Sequence, residues 1–284
     1  MTLSSFDSLL DLRENGDDNY TAPASPDKGL RMFGGQFLAQ AMEAGVRTVG
    51  PGRSIHSLHG YFLRPGNTML NVDYDVERIR DGRSFSHRRV VASQEGKEMF
   101  AMFASWSIPL SSPNYSGRSM PQVPSASASD YSYLQFCRDQ MPDPEYETTV
   151  QSRPMDIRYI NPPQDRTPQS RTEDQLMWMR VSIPVGNRTS LHHAALAYLS
   201  DSTLIDHILI PHGKRWQDSD FEGTSLDHAM WFHCDCDATA WHLFEQSVEW
   251  TGDGRGLATG RIFTESGKLV ATCAQEGLMR FDYS

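Results

Sequence analysis

Residues 190–208 read Ser-Leu-His-His-Ala-Ala-Leu-Ala-Tyr-Leu-Ser-Asp-Ser-Thr-Leu-Ile-Asp-His-Ile. The run is apolar around most of a helical circumference, so a helix built from it must be buried on nearly every side. Four strand-like runs follow: Ser225 to His233, Ala240 to Thr251, Gly256 to Thr264 and Lys268 to Phe281. Asp253-Gly254 and Ser266-Gly267 stand between them as hairpin turns. A buried helix ahead of an antiparallel meander is the pattern of an α+β fold in which a sheet wraps its helix.

The same order occurs earlier in the chain. A helix is expected from Gly35 to Val49, with Leu38, Met42, Gly45 and Val49 on one stripe. The strand-like runs Ile55 to Leu63, Met69 to Arg80, Ser84 to Gln94 and Glu98 to Ile108 follow it. The turn glycines repeat at nearly the same interval, Gly82 to Gly96 and Gly254 to Gly267. This is the signature of an internal duplication. Between the halves, Pro109 to Tyr131 is dense in Ser, Pro and Gly and reads as a linker. The expected division is an N-terminal repeat over 1–110, a Ser/Pro-rich linker over 111–150 and a C-terminal repeat over 151–284. A short strand, Met155 to Ile160, and a loop-like stretch, Asn161 to Arg171, open the last of these.

Composition narrows the function classes. The 284 residues carry 26 Lys+Arg against 36 Asp+Glu, a net charge of −10. That balance argues against nucleic acid, whose phosphates call for clustered positive charge. The start, Met1 to Asp11, has no basic n-region, and no stretch approaches the ~20 apolar residues of a membrane helix. No secretory signal and no membrane span are expected. The tail Phe281-Asp282-Tyr283-Ser284 is not a peroxisomal Ser-Lys-Leu signal. The 4 cysteines are too few for a disulfide framework, so a reducing cytoplasm is the expected setting.

Two polar residues interrupt apolar patterns. Asp201 has Ala194, Ala197, Tyr198, Leu204, Ile205 and Ile208 as its helical neighbours. In a continuous helix it is a carboxylate in a buried stripe, which must be paired, hydrogen-bonded or functional. Alternatively, it caps a second helix starting at Ser202. Gln275 breaks the apolar face Leu269, Ala271, Cys273, Gly277, Met279 of the last strand. It either serves a carboxylate or water, or satisfies a buried backbone group. The aligned position in the first half is Ala104, so that half reads as a scaffold. Ser225, with Thr224 beside it, stands at a strand start. Gly223-Thr224-Ser225-Leu226-Asp227 lacks the second glycine of a serine-hydrolase elbow.

Other clusters are less pointed. Histidines and cysteines crowd the second half, but Cys234 and Cys236 lack the Cys-x₂₋₄-Cys spacing of structural zinc, and no metal is expected. Arg78, Arg80, Arg83, Arg88 and Arg89 form a basic hairpin that either meets an anionic ligand or is a solvated face.

These residues together resemble the type II acyl-CoA thioesterases. The resemblance is carried by Arg31-Met32-Phe33-Gly34-Gly35-Gln36, by His56 through Gly66 and by Tyr74 through Phe85. In the second half it continues through Tyr198-Leu199-Ser200-Asp201, Pro211-His212-Gly213, Leu226 through His233, and Gln275-Glu276-Gly277-Leu278-Met279-Arg280. It implies a double hot-dog fold, hydrolysis of fatty acyl-CoA to free acid and CoA, and assembly as a homo-oligomer. No cofactor is implied. It also implies a catalytic trio that holds the attacking water: Asp201, Ser225 where many relatives have Thr, and Gln275. The oxyanion needs a donor such as a backbone amide near a helix N-terminus; the sequence does not say which, though the helix from Gly35 offers one, and the cluster from Arg78 to Arg89 is a candidate, not an assignment, for the CoA phosphates. Three rivals remain: an enoyl-CoA hydro-lyase using His207 or His228, a non-catalytic acyl-CoA-binding protein, and a serine hydrolase.

Overall fold

After a short 3₁₀ turn at Phe6–Leu10, the chain forms the hairpin β1 (Arg13–Gly16) and β2 (Asn19–Ala22). Helix α1 (Gly34–Arg47) and the meander β3 (Ser54–Phe62), β4 (Val72–Asp81), β5 (Phe85–Gln94) and β6 (Lys97–Ser107) complete the first half. Helices α2 (Tyr133–Gln140) and α3 (Pro144–Ser152) lead into strands β7 (Met155–Tyr159) and β8 (Gln175–Val181). Helix α4 (Thr189–Ser200) and a 3₁₀ turn at Asp206–His212 precede β9 (Phe221–Ser225), β10 (Asp227–Phe232), β11 (His242–Gly252), β12 (Arg255–Thr264) and β13 (Leu269–Phe281). The computed structural model describes residues 3–25, 31–140, 143–163, 166–168, 173–216 and 218–282, the side chains of residues 145 and 146 aside.

The described strands form one antiparallel sheet in the order β1-β2-β4-β5-β6-β3-β10-β13-β12-β11-β8-β7, with β9 on β13. The order β3-β6-β5-β4 in one half is mirrored as β10-β13-β12-β11 in the other, as the repeated sequence pattern predicts. The halves join where β3 pairs with β10 from Ser57↔Trp231 to Tyr61↔Asp227.

Helices α1 and α4 pack on one another inside this wrap. Every α1 residue from Gly35 to Gly45 is buried, and so is most of α4. Phe33, just ahead of α1, meets Tyr198 of α4 edge-on at 4.9 Å between ring centroids, and Phe6 meets the same ring at 5.6 Å. Such contacts are each worth about 1 kcal/mol beyond burial. Buried Gln40 on α1 is held on both sides: it donates to Leu9 O and accepts from Tyr74 Oη.

The structure departs from the sequence expectations at three places. Helix α4 does not run to Ile208. It ends at Ser200, where Ser202 returns both its amide and its hydroxyl to Leu199 O. Side chains that bond the preceding turn compete with the helical ladder, which is why the apolar stripe continues while the helix does not. The strand expected from Ser225 to His233 is broken at Leu226, because Asp227 Oδ1 accepts the Glu276 amide at 2.7 Å. Lastly, α2 and α3 occupy the later part of the stretch read as a linker. Tyr133, Phe136 and Cys137 of α2 are buried, and the first two rings pack on Tyr159 of β7. Residues 109–125 carry no helix or strand. Part of the loop-like stretch from Asn161 to Arg171 lies outside the described residues.

Candidate active site

Because α4 stops at Ser200, Asp201 becomes its C-cap and leaves the helical ladder. It caps no second helix, since the 3₁₀ turn begins after Ile205. Asp201 is 8% exposed and faces the start of α1 from the other half. The Gly35 amide donates to its carboxylate. A Cβ on Gly34 would lie 2.5 Å from Asp201 Oδ2 and 2.9 Å from the Phe62 ring. Only glycine fits there, so Gly34-Gly35 lets two helix ends meet. The meeting is electrostatically complementary, because α1 presents its positive end to the carboxylate.

Gln275 reaches the same carboxylate from β13. Its Nε2 donates to Asp201 Oδ1 at 2.6 Å, and its side chain is fully buried. The interruption seen in the strand pattern is therefore an inward amide on an inward acid. Ser225 ends β9 opposite Gly277, two residues beyond Gln275 on β13. Paired residues share a sheet face, so Ser225 lies on the inner side with Gln275, whereas Thr224, opposite Leu278, takes the other side. Ser225 and Asp201 both line a cavity of about 610 Å³. Among the described residues the Ser225 hydroxyl makes no hydrogen bond.

Burial dominates the electrostatics. It pushes the Asp201 carboxyl up to about 7, against the Gln275 amide, the Arg153 charge and the Gly35 amide, which all favour the anion. His228, also fully buried, is pushed down to about 4 by the same desolvation and is neutral. Its Nε2 lies 3.0 Å from Ser200 Oγ, and its Nδ1 is 3.8 Å from Asp201 Oδ1, outside hydrogen-bond reach.

Two functional candidates were missed in the sequence. Asp206 is a second carboxyl on the same cavity, also raised to about 7 by burial. Arg153, at the junction of α3 and β7, lines the cavity too and lies over the Phe33 ring at 4.2 Å. No local pattern marks a lone Arg at the end of a polar helix. Asp206 could have been noticed by the criterion that selected Asp201, since Ile205, Ile208, Leu209 and Ile210 surround it in sequence.

Register maps the trio onto the first half. Ala104 pairs with Arg88 as Gln275 pairs with Ala258, and Ile55 pairs with Trp106 as Ser225 pairs with Gly277. The C-cap of α1 is Thr48 where that of α4 is Asp201. The carboxylate, hydroxyl and amide thus become Thr48, Ile55 and Ala104. The space is filled by Arg88, which is fully buried and donates from Nε to Thr48 Oγ1 at 2.7 Å and from Nη2 to Thr48 O at 2.8 Å. This corrects the expected basic patch as well. Arg88 points inward, Arg78 is tied to Asp18 and Arg89 to Glu77, so the five arginines form no single anion-binding surface. The cations on the large cavity are Arg31, Arg64 and Arg153.

Comparison with known proteins identifies the family and the fold. Residues 21–107 match the family described as acyl-CoA thioesterase N-terminal domain, and residues 135–279 match its C-terminal domain. The mouse protein named acyl-coenzyme A thioesterase 8 is 37% identical over 92% of this chain and 83% of its own. The Haemophilus influenzae protein named acyl-CoA thioesterase 2 is 34% identical over 94% of each. A crystal structure of an acyl-CoA thioesterase II from Mycobacterium marinum covers 98% of each chain at 33% identity with a TM-score of 0.78. With both halves matched and both helices wrapped by one sheet, the chain belongs to the acyl-CoA thioesterase family and has its double hot-dog fold.

Proposed function

We propose that this protein hydrolyses fatty acyl-CoA to free acid and CoA with water activated by Asp201, Ser225 and Gln275. One observation carries the reading. A buried carboxyl, raised to about 7, sits on a cavity between the halves with an amide locked on one oxygen. Such a group is half ionised near neutral pH and suits a general base.

Asp201 takes a proton from water, and the hydroxide adds to the thioester carbonyl. The C–S bond then breaks, and the proton held by Asp201 passes to the departing thiolate. Gln275 fixes the carboxylate, while the Ser225 hydroxyl holds the water on its line of attack. The start of α1 supplies the positive field for the oxyanion. The apolar cavity wall at Phe33, Phe37 and Phe62 receives the acyl chain.

The hydro-lyase reading needs an Asp/His pair at the substrate. His228 is fully buried and lies off the cavity, and His207 lines a separate cavity of about 20 Å³. We also propose a homo-oligomer, because Tyr61, Phe103 and Trp231 stand exposed on one outer face of the shared sheet, where His59↔Phe103 and Ala229↔His59 set the register. A cytoplasmic setting rests on the low cysteine use. The test is product analysis with a chain-length series of acyl-CoAs. Stoichiometric free thiol and fatty acid, with no label from a serine-directed inhibitor, is the expected result. A hydroxyacyl-CoA product, or binding with no turnover, would overturn the reading.

A further inference from the structure

The duplication repeats the cavity as well as the fold. Besides the catalytic cavity of about 610 Å³, one of about 360 Å³ lies at the opposite end of the helix pair, where α1 ends and α4 begins. It is the mate of the first. Thr224 and Ser225 line the catalytic cavity, and Ser54 and Ile55, in the same register, line the mate. Phe37 of α1 lines the catalytic cavity. Ser190 of α4, which stands as far ahead of its helix's C-cap as Phe37 does, lines the mate.

The two walls differ in charge. The catalytic cavity carries the carboxyls of Asp143, Asp201 and Asp206, whereas the mate carries Arg53 and Arg188 and no acid among its described lining residues. By position along the helices, Thr48 stands for Asp201 and Arg188 for Gly35. A carboxylate is thus lost and a cation gained at the helix start. Arg188 also pairs with Glu43, which is buried and off this wall.

Polar groups on the mate lack partners. Arg188, the N-cap of α4, gives no side-chain cap, and among the described residues the Thr189 and Ser190 amides make no hydrogen bond. His193 on this wall is 2% exposed, and its Nε2 has no hydrogen-bond partner; Asp235 Oδ1 lies 3.4 Å away without forming one. Arg53 Nη1 is buried and unbonded too, while its Nη2 donates to Gly82 O at 2.7 Å. Unmade buried hydrogen bonds are costly, and open amides at a helix start beside cations favour an anion. Met42, Val46, Val49 and Trp106 supply an apolar wall next to them.

We propose that this mate cavity is a non-catalytic site for a fatty acid, its carboxylate held at the start of α4 with Arg53 and Arg188 and its chain laid along Met42, Val49 and Trp106. The ligand class follows from the wall. That this fatty acid is the enzyme's own product rests on the reading above. An ionised Asp201 repels that product from the catalytic cavity, and the mate, with no acid in that place, attracts it.

The experiment is a calorimetric titration with dodecanoate, kept below its micelle concentration. It is run on the native protein alone and with the catalytic cavity saturated by S-dodecyl-CoA, a thioether that cannot be hydrolysed. Dodecanoate is expected to bind with the thioether in place, and dodecanol, which lacks the charge, at least about tenfold more weakly. Ser190→Trp puts a ring into the mate cavity; it should weaken dodecanoate at least about tenfold and leave kcat/KM for acyl-CoA within about twofold of native. Val49→Trp, on the α1 side, serves if Ser190→Trp does not fold. No binding, binding abolished by the thioether, dodecanol bound as well as dodecanoate, or affinity unchanged in the folded variant would overturn the proposal. Absence of free-thiol release from acyl-CoA would instead defeat the hydrolase reading, and the dodecanoate titration of the native protein and the variant would still decide this site.

Discussion

Gln275 Nε2 and Asp201 Oδ1 are 2.6 Å apart, so the last strand of the chain holds the end of α4 across 74 residues. A contact that short, between an amide with no solvent exposure and a buried acid, fixes the direction of the carboxyl and favours its anion against burial. Gln275→Ala is expected to lower kcat about 100-fold at saturating acyl-CoA, because the carboxylate loses its orientation. KM should change little. A kcat within a factor of two of native would show that the amide is only structural.

Gly34 lets α1 reach the site. In Gly34→Ala the added methyl meets Asp201 Oδ2 and the Phe62 ring. Activity should fall at least ~100-fold while the circular dichroism spectrum stays native, since a displacement on the order of 1 Å at the reacting groups suffices. Full activity would mean that the two helix ends need not meet so closely.

The buried acids leave a signature in stability. Asp206 is raised from 3.8 to about 7, so its folded form prefers the proton. Its contribution is complete below about pH 4 and is lost as pH rises through 7. His228 works the other way: its neutral form is favoured, and that contribution is lost as pH falls from 6.5 through about 4. Asp206→Asn should therefore gain on the order of 3 kcal/mol relative to the native chain between pH 4 and pH 9. Denaturant unfolding at the two pH values checks this, and a pH-independent difference would contradict it.

Arg88 plugs the first half. Arg88→Leu removes the donors on Thr48, at the end of α1, and on Asp81, at the end of β4. The expected loss is about 2–4 kcal/mol of stability. The catalytic cavity lies at the other end of α1, so kcat/KM at a permissive temperature should stay within about twofold of native. Unchanged stability would show that Arg88 merely fills space.

Much of this was legible in the sequence, and the failures have physical causes. The repeated helix-and-meander order was readable because a wrapped helix is apolar all round and its strands alternate. Asp201 and Gln275 stood out as polar intrusions, and the structure brings them into contact. Their catalytic roles, and that of Ser225, remain the proposal made above. The end of α4 was not readable, because the apolar stripe runs through Ile208 while Ser202 bonds back to Leu199. The hairpin β1–β2 was missed because its strands are only 4 residues each, although Asn15-Gly16 stands just ahead of its turn at Asp17 and Asp18. Helices α2 and α3 were hidden in a polar segment whose few apolar residues dock on β7. Arg153 and Asp206 come onto one cavity only in the fold.

The most direct test compares free-thiol release by the native enzyme and by Asp201→Asn at equal concentration, with both shown to be folded. The account predicts release from acyl-CoA by the native protein and a loss of at least ~1,000-fold in the variant, as expected when a general base is removed. Release at the native rate by Asp201→Asn would contradict it.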